Sequence, residues 1–204
     1  MNQITVFIQK LTDFYELEQV ENFYKDDRKR TNLIIYLQEM LKLKPRLMLV
    51  GEAPGYKGCA ICGIPFTSEF IMINNPYNIS LFREDKRYLR INSSKLSKEN
   101  TATIMWEALN NFEEKPLLWN AFPFHPYEGN NKYTNRKPNS SEIEIGKEFI
   151  SILKNLFKIK KIIAIGDLAE QSLRRMNLFE KKIRHPSHGG KQQFIKELKD
   201  VYVD

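Results

Sequence analysis

Short apolar runs alternate along the chain with stretches in which apolar residues recur every three or four positions. The runs are RLMLV, which leads into Gly51, PLLWN, which ends at Asn120, KKIIAIG, which ends at Gly166, and the shorter KKIRH, which ends at His185. Runs that are apolar throughout are typical of strands buried on both faces of a parallel sheet. The pattern therefore predicts an α/β protein, a three-layer α/β/α sandwich around a four-stranded parallel sheet.

Helical periodicity occupies the segments between these runs. It predicts helices over residues 103–112, 142–157, 167–176 and 190–202, with Asp167 as the N-cap of the third. Two further helices are predicted in residues 1–44, separated by a charged turn at residues 26–30. In the second of them Leu33, Leu37 and Leu41 form one stripe that faces the core.

Length and composition fit one domain. The 204 residues, 42% of them hydrophobic, suffice for one well-filled core. We expect an N-terminal helical segment over residues 1–44 and a core over residues 45–204, in a monomer. No apolar stretch reaches the roughly 20 residues that cross a bilayer, and the N-terminus does not resemble a signal peptide. These features predict a cytoplasmic, nucleoid-associated protein with no membrane partner.

Net charge and cysteine content indicate which partner and which kind of cofactor the protein could have. A formal net charge of +7 favours a polyanionic partner, since Lys and Arg neutralise phosphates. Cys59 and Cys62 form a C-x-x-C, which can be a redox pair or half of a metal site. With three histidines and no other cysteine in the chain, we interpret them as two small loop residues and expect no metal and no cofactor.

Polar motifs follow three of the four predicted strands. The first runs into GEAPG, residues 51–55, whose glycines let backbone amides converge on a ligand. The second ends at Asn120, whose carboxamide can donate and accept at once, as the edge of uracil requires. An ordinary tight turn and an Asn satisfied by its own turn are the alternatives.

The last strand leads into RHPSHGG, where His185 is presented at a strand-to-loop junction. Ser187, Gly189 and Gly190 offer a hydroxyl and backbone amides to a phosphate, just before a helix N-terminus that favours anions. Phe66 is either an aromatic platform for a flipped base or a core residue. Since carboxyl ends of parallel strands share one rim of a sheet, we expect these groups to meet there.

These segments resemble the uracil-DNA glycosylase superfamily. GEAPG and HPS look like the two signatures of its thermostable branch, GIPF like the base-stacking segment, and LLWNAF like the strand with the base-reading Asn. The segment TNRKPNSSEIEIG is also similar, and the resemblance extends from about Arg46 to Tyr202. It implies a DNA glycosylase in base excision repair that hydrolyses the N-glycosidic bond of a flipped-out uracil or related pyrimidine, with DNA as its partner.

The resemblance also implies roles for individual residues. His185 donates a hydrogen bond to the base oxygen O2, and Glu52 orients or activates water or stabilises the sugar cation. Asn120 reads the base edge, Phe66 stacks on its face, and the base pocket is completed by Ala53 and Gly55. Ser187, with the amides of Gly189 and Gly190, grips phosphate.

Four features of the chain depart from the family's pattern. The thermostable branch uses four iron–sulfur cysteines, and this chain has only Cys59 and Cys62, so no cluster is expected. Ala53 stands where the best-studied family has a catalytic Asp, and the loop after HPS has His188, Gly189 and Gly190 where an apolar wedge is usual. Gly55 stands where strict uracil enzymes place a Tyr that excludes the thymine methyl.

These departures leave other functions open. One is a glycosylase for another damaged or 5-modified base, including modified phage DNA. Another is a DNA-binding member of the superfamily without catalysis, and a third is a domain that acts on free nucleosides.

Overall fold

The computed structural model describes residues 3–187 and 189–203. In chain order they form α1 (Gln3–Thr12), β1 (Val20–Glu21), α2 (Asp27–Leu43), β2 (Leu47–Gly51), α3 (Cys59–Cys62), α4 (Glu69–Asn74), α5 (Asn100–Leu109), β3 (Leu117–Asn120), β4 (His125–Pro126), α6 (Ser140–Phe157), β5 (Lys161–Ile165), α7 (Asp167–Arg175), β6 (Lys181–Ile183) and α8 (Lys191–Val203). No helix among these residues has the length and apolarity needed to cross a membrane.

Four parallel strands form the central sheet, in the order β3-β2-β5-β6. Every residue of β2 and β3 is buried. Because successive side chains of a strand point to opposite faces, burial of all of them means that both faces of the sheet are covered. The predicted α/β class with a four-stranded parallel sheet is confirmed.

The N-terminal helices share the core of the sheet. Phe7 of α1 and Leu33 and Leu37 of α2 are fully buried in the same hydrophobic cluster as the strands, and Leu41 is half-buried against it. This shared cluster supports the single domain that we propose for residues 1–204. The chain between the two helices also forms β1, which pairs antiparallel with β4 and was not predicted.

Several predicted helix boundaries are wrong because the capping residue lies elsewhere in the sequence. The expected turn at residues 26–30 is the first turn of α2, since the Asp26 carboxylate accepts from the backbone N–H groups of Arg28 and Lys29. Glu99 caps α5 in the same way, so that helix begins at Asn100. At α7 the cap is Gly166, and Asp167 is the first helical residue instead of the N-cap.

Strand β6 is shorter than predicted. It ends at Ile183, so His185 lies two residues beyond it, at the start of the loop that leads to α8. Side chains within a strand must point to one face of the sheet or the other. Because His185 lies in a loop, its imidazole can instead turn towards the rim of the sheet.

Candidate active site

A cavity of about 620 Å³ opens where β2, β3, β5 and β6 end. Predicted site residues that line it are Glu52, Ala53, Gly55, Phe66, Asn120, His185 and Ser187. Gly189 and Gly190 border a neighbouring hollow that shares Gly166, Asp167 and Arg184 with the cavity. The structure thus brings the predicted motifs to one rim of the sheet, the place where open parallel sheets bind ligands.

Two of the side chains that line the cavity pack against the backbone of Gly51, at the end of β2. A Cβ atom at this position would lie 2.5 Å from Cζ of Phe66 and 2.9 Å from Oδ1 of Asn120. The aromatic ring and the carboxamide therefore converge on the same point of the β2 backbone, and only glycine leaves room between them. We call this arrangement of Gly51, Phe66 and Asn120 the base slot.

Asn120 reaches the base slot from the last position of β3, paired in register with Gly51. Its exposed fraction is 5%, and no side-chain hydrogen bond involving the described residues uses its carboxamide. Asn120 lines the cavity, so its amide can reach a ligand held there. Both its donor and its acceptor are available to a ligand.

Phe66 holds its ring in the slot at a cost in backbone energy. Its φ angle is 53°, in the left-handed region that bulky residues avoid. The turn around it is fixed because the N–H of Thr67 donates to the carbonyl of Ile64 and the Thr67 hydroxyl accepts from Nε1 of Trp106 at 3.0 Å. Strain of this kind clusters at functional sites, where surrounding contacts maintain it.

Glu52 follows the slot at the start of the GEAPG turn. Burial raises the pKa of its carboxyl to about 7, and the positive charge of Lys137 opposes that rise. No hydrogen bond among the described residues uses the carboxylate. A carboxyl whose pKa lies near neutrality and whose oxygens face a cavity is suited to accept a proton or to orient a water molecule.

His185 is oriented by the residue two positions after it. The backbone N–H of Ser187 donates to Nδ1 of His185 at 3.2 Å, and the Ser187 hydroxyl lies 2.7 Å from the same nitrogen. Since an N–H can only donate, Nδ1 is the accepting nitrogen, and a neutral ring then carries its proton on Nε2. The imidazole is thereby set to donate a hydrogen bond from Nε2.

The glycines of this loop have unequal roles. A Cβ at Gly190 would lie 2.1 Å from the His185 carbonyl, and the Gly190 N–H donates to the carbonyl of Ser187 at 3.1 Å. Gly190 therefore closes the loop by packing, and its amide is already used. Gly189 has a φ of 76°, is exposed, and would have no neighbour within 4 Å of an added Cβ. We accordingly keep the proposed phosphate contact for Ser187 and Gly189; His188 lies outside the described residues.

The GEAPG turn leaves space beside the slot. A Cβ at Gly55 would meet nothing closer than Oδ1 of Asn135, at 3.8 Å. Asn135 also accepts from the backbone N–H of Tyr56 at 3.1 Å, and both side chains line the cavity. Sequence reasoning missed Asn135 and Tyr56, because the TNRKP segment that carries the former is some 80 positions from the turn it contacts.

The two cysteines and His125 are buried next to the segments that form the cavity. Cys59 and Cys62 are free, buried thiols on the helix α3, so the expected loop position is wrong. Burial raises the pKa of Cys62 to about 12, and its Sγ lies 3.2 Å from the Thr67 carbonyl oxygen. The ring of His125 lies between the carbonyl oxygens of Pro54 and Lys132, at 2.8 and 3.0 Å, which joins the GEAPG turn to the loop after β4.

Comparison with known proteins agrees with this geometry. A family model described as the uracil DNA glycosylase superfamily matches residues 39–201. The crystal structure of wild-type SMUG2 from Pedobacter heparinus matches with a TM-score of 0.70, over 100% of this chain and 97% of that one, at 18% identity. At that identity the likeness is one of fold, and it takes in the N-terminal helices. No curated protein matches the chain in sequence.

The family model spans most of the chain, and the predicted resemblance is confirmed. The chain belongs to the uracil-DNA glycosylase superfamily.

Proposed function

We propose that this protein hydrolyses the N-glycosidic bond of a flipped-out uracil or related pyrimidine in DNA and leaves an abasic site. The observation that carries the proposal is the base slot, in which a buried carboxamide without a protein partner faces the same point as an aromatic ring. A pyrimidine held there would stack on Phe66 and present its edge to Asn120. A base still stacked in a duplex could not reach the slot, so the nucleotide must be extruded.

The carboxamide can select the base by its hydrogen-bond pattern. Uracil offers an acceptor at O4 and a donor at N3, which match the NH₂ and the oxygen of Asn120. Cytosine offers the reverse pattern, and its pairing with the same amide orientation would leave two buried polar groups unsatisfied. Each such group costs about 1–3 kcal/mol, and this cost discriminates against cytosine when the bound DNA holds the amide in the uracil-reading orientation.

His185 assists departure of the base, and Glu52 assists attack by water. As the bond between C1′ and the base nitrogen breaks, the electron pair moves to the base and positive charge develops on the sugar. The Nε2–H of His185 stabilises the charge on O2 of the base, and no proton transfer is required for this. The Glu52 carboxylate orients the water whose oxygen bonds to C1′ and accepts its proton. Ala53 supplies no carboxylate, so Glu52 works alone.

A second candidate substrate is a pyrimidine that carries a substituent at C5. Gly55 and the space up to Asn135 favour it, since no side chain fills the position beside the slot. In this alternative the same residues act on the same bond, and only the volume of the accepted base differs.

A screen of oligonucleotides tests the proposal. Single- and double-stranded DNA containing uracil, 5-substituted uracils, hypoxanthine or xanthine is incubated with the protein, and abasic sites are detected by alkaline cleavage. We expect cleavage at uracil or a 5-substituted uracil, and loss of about 2 orders of magnitude or more in the His185→Ala variant with DNA binding retained. DNA binding without base release from any substrate would favour a non-catalytic module, and equal release from free nucleosides would contradict a DNA substrate.

A further inference from the structure

Tyr133 is an unusually exposed aromatic residue. Its exposed fraction is 78%, the largest value for a bulky hydrophobic side chain among the described residues. It lies in the segment of residues 127–139 between β4 and α6, which we call the tyrosine loop. A single exposed ring is ordinary on a protein surface, and Tyr133 is notable for the groups that surround it.

The ring of Tyr133 is separated from the cavity by a single side chain, that of Tyr56. Tyr133 makes an edge contact with Tyr56, at 6.5 Å between ring centroids and 79° between planes, and Tyr56 itself lines the cavity. Asn135, two positions further along the loop, also lines the cavity and accepts from the Tyr56 backbone N–H. Tyr133 is therefore placed at the cavity mouth.

The tyrosine loop is held in shape despite its exposure. The side chain of Asn131 accepts from the Tyr133 N–H at 2.9 Å, and the Thr134 hydroxyl accepts from the Glu128 N–H at 2.9 Å. The Lys132 carbonyl contacts the buried ring of His125, which also contacts Pro54 in the GEAPG turn. Ordering the loop costs little on binding, because these bonds exist already.

Cationic side chains belong to the same two segments as the tyrosines. Nζ of Lys57 lies 5.3 Å from the ring centroid of Tyr56. Lys132 and Lys137 lie in the tyrosine loop with exposed side chains, and Nζ of Lys132 is 3.8 Å from a carboxylate oxygen of Glu21. Aromatic rings interleaved with basic groups are the pattern with which proteins hold single nucleic-acid strands, the rings stacking on bases and the cations following the phosphates.

We propose that Tyr133 stacks on a DNA base next to the nucleotide whose base enters the slot. Extrusion of a nucleotide removes the stacking partner of its neighbour, and a ring that replaces that partner recovers part of the cost. In the loop before α8, which borders the neighbouring hollow, Gly189 offers no side chain for this purpose. The inference rests on the proposed function and adds a substrate contact to it.

Binding to an uncleavable substrate tests the contact. The probe is a single-stranded oligonucleotide in which 2′-fluoro-deoxyuridine, whose glycosidic bond resists hydrolysis, stands within mixed sequence. We expect Tyr133→Ser to weaken its affinity by about 5- to 100-fold, the range found for loss of one base–aromatic stack, and Tyr133→Phe to restore it. Tyr15→Ser is the matched control, because Tyr15 is also exposed, at 62%, and does not line the cavity.

Fluorescence provides a second readout that a purely structural role of Tyr133 would not move. Both native tryptophans, Trp106 and Trp119, are buried, so they give a constant background. The emission of the Tyr133→Trp variant should be quenched at saturating oligonucleotide, and that of Tyr15→Trp should stay unchanged. Unchanged affinity in Tyr133→Ser, or unchanged emission in Tyr133→Trp at saturation, would overturn the inference.

The two proposals fail in different ways. If the wild-type protein releases no base from any oligonucleotide, the proposed function fails. If it releases a base and Tyr133→Ser binds and turns over like the wild type, the proposed function stands and only the stacking role of Tyr133 is wrong.

Discussion

Asn120 ends β3 and Glu52 directly follows the neighbouring strand β2, and burial has a different consequence for each. The amide of Asn120 is neutral, so removal from water leaves its hydrogen-bonding groups available for recognition. The carboxyl of Glu52 is titratable, so the same removal from water raises its pKa to about 7. One residue is thereby suited to read a base and the other to exchange a proton near neutral pH.

Replacement of Asn120 by aspartate should change the base that is accepted. The Asn120→Asp carboxylate has no donor for O4 of uracil and can accept from the exocyclic amine of cytosine. We expect the ratio of kcat/KM for uracil over cytosine to fall by at least about 100-fold, since the pairing with O4 of uracil is lost and one with the amine of cytosine is gained. Single-turnover rates on both substrates measure it, and a variant with the wild-type preference would exclude Asn120 as the base reader.

The raised pKa of Glu52 should appear in the pH profile. If the carboxylate is the active form, kcat/KM rises with pH and levels off above about 7. Lys137→Ala should move the midpoint to higher pH, because the lysine charge holds that pKa down. Glu52→Gln should abolish this rise of kcat/KM with pH and slow the reaction. A profile of the wild type that is flat from pH 5 to about 9 would contradict the role of Glu52.

The raised pKa of Glu52 should also make the free energy of unfolding depend on pH, but this free energy falls as pH rises. The folded pKa of about 7 lies above the ordinary value of 4.5, so between these values the folded protein binds more protons than the unfolded one. The free energy of unfolding contributed by Glu52 is therefore lost as pH rises through about 7. Urea unfolding at several pH values should show a smaller loss in Glu52→Gln.

At the scale of elements, the start of α6 ties the tyrosine loop to the core. Asn139 and Glu142 form a capping box, and Glu142 also receives two hydrogen bonds from Arg136, at 2.6 and 2.8 Å. Arg136 in turn donates to the carbonyls of Gln19 and Tyr127. One carboxylate thus orders the end of the loop that carries Tyr133 and Asn135.

Loss of that carboxylate should destabilise the protein. We expect Glu142→Ala to lower the free energy of unfolding by about 1–3 kcal/mol, less than for a fully buried pair because Arg136 is partly exposed. Glu144→Ala, an exposed position on the same helix, should change it by less than about 0.5 kcal/mol. Denaturant unfolding of both variants is the measurement, and equal effects would show that the pair with Arg136 is not stabilising.

The elements that sequence reasoning recovered are those with a local pattern. The strands β2, β3 and β5 are buried on both faces and read as apolar runs, and Leu33 and Leu37 marked the buried side of α2. The two-residue strands β1 and β4 have no such pattern, and helix starts such as Asp26 depend on which side chain captures the first amides. Asn135 and Tyr133 reach the cavity through contacts with residues far away in sequence, which no local pattern encodes.

The whole molecule carries a formal net charge of +7, which we relate to DNA as its partner. Binding that displaces counterions weakens with salt, and the slope of log Kd against log salt counts the phosphates contacted. Lys57 lines the cavity, and Lys137 is close enough to Glu52 to lower the pKa of its carboxyl. They are the cations that we expect to contact the strand on either side of the extruded nucleotide.

Removal of these two charges should lower the salt dependence of binding. For single-stranded DNA the slope should fall by about 0.7 for each lost phosphate contact, hence about 1.4 in the Lys57→Ala/Lys137→Ala variant. Lys196→Ala/Lys199→Ala removes the same charge from exposed positions of α8 that do not line the cavity. Equal slopes in the two double variants would mean that net charge alone, and no defined path at the mouth, governs binding.

The pairing of Gly51 with Asn120 in register has a consequence for insertions and deletions. Along β3, Trp119 and Asn120 point to opposite faces, and the ring of Trp119 packs on Phe7 in the core. One residue gained or lost within β3 would exchange these faces, burying an amide in hydrocarbon and pushing an indole into the slot. Length changes should therefore be tolerated in exposed connections such as residues 93–95 and be fatal within the four residues of β3.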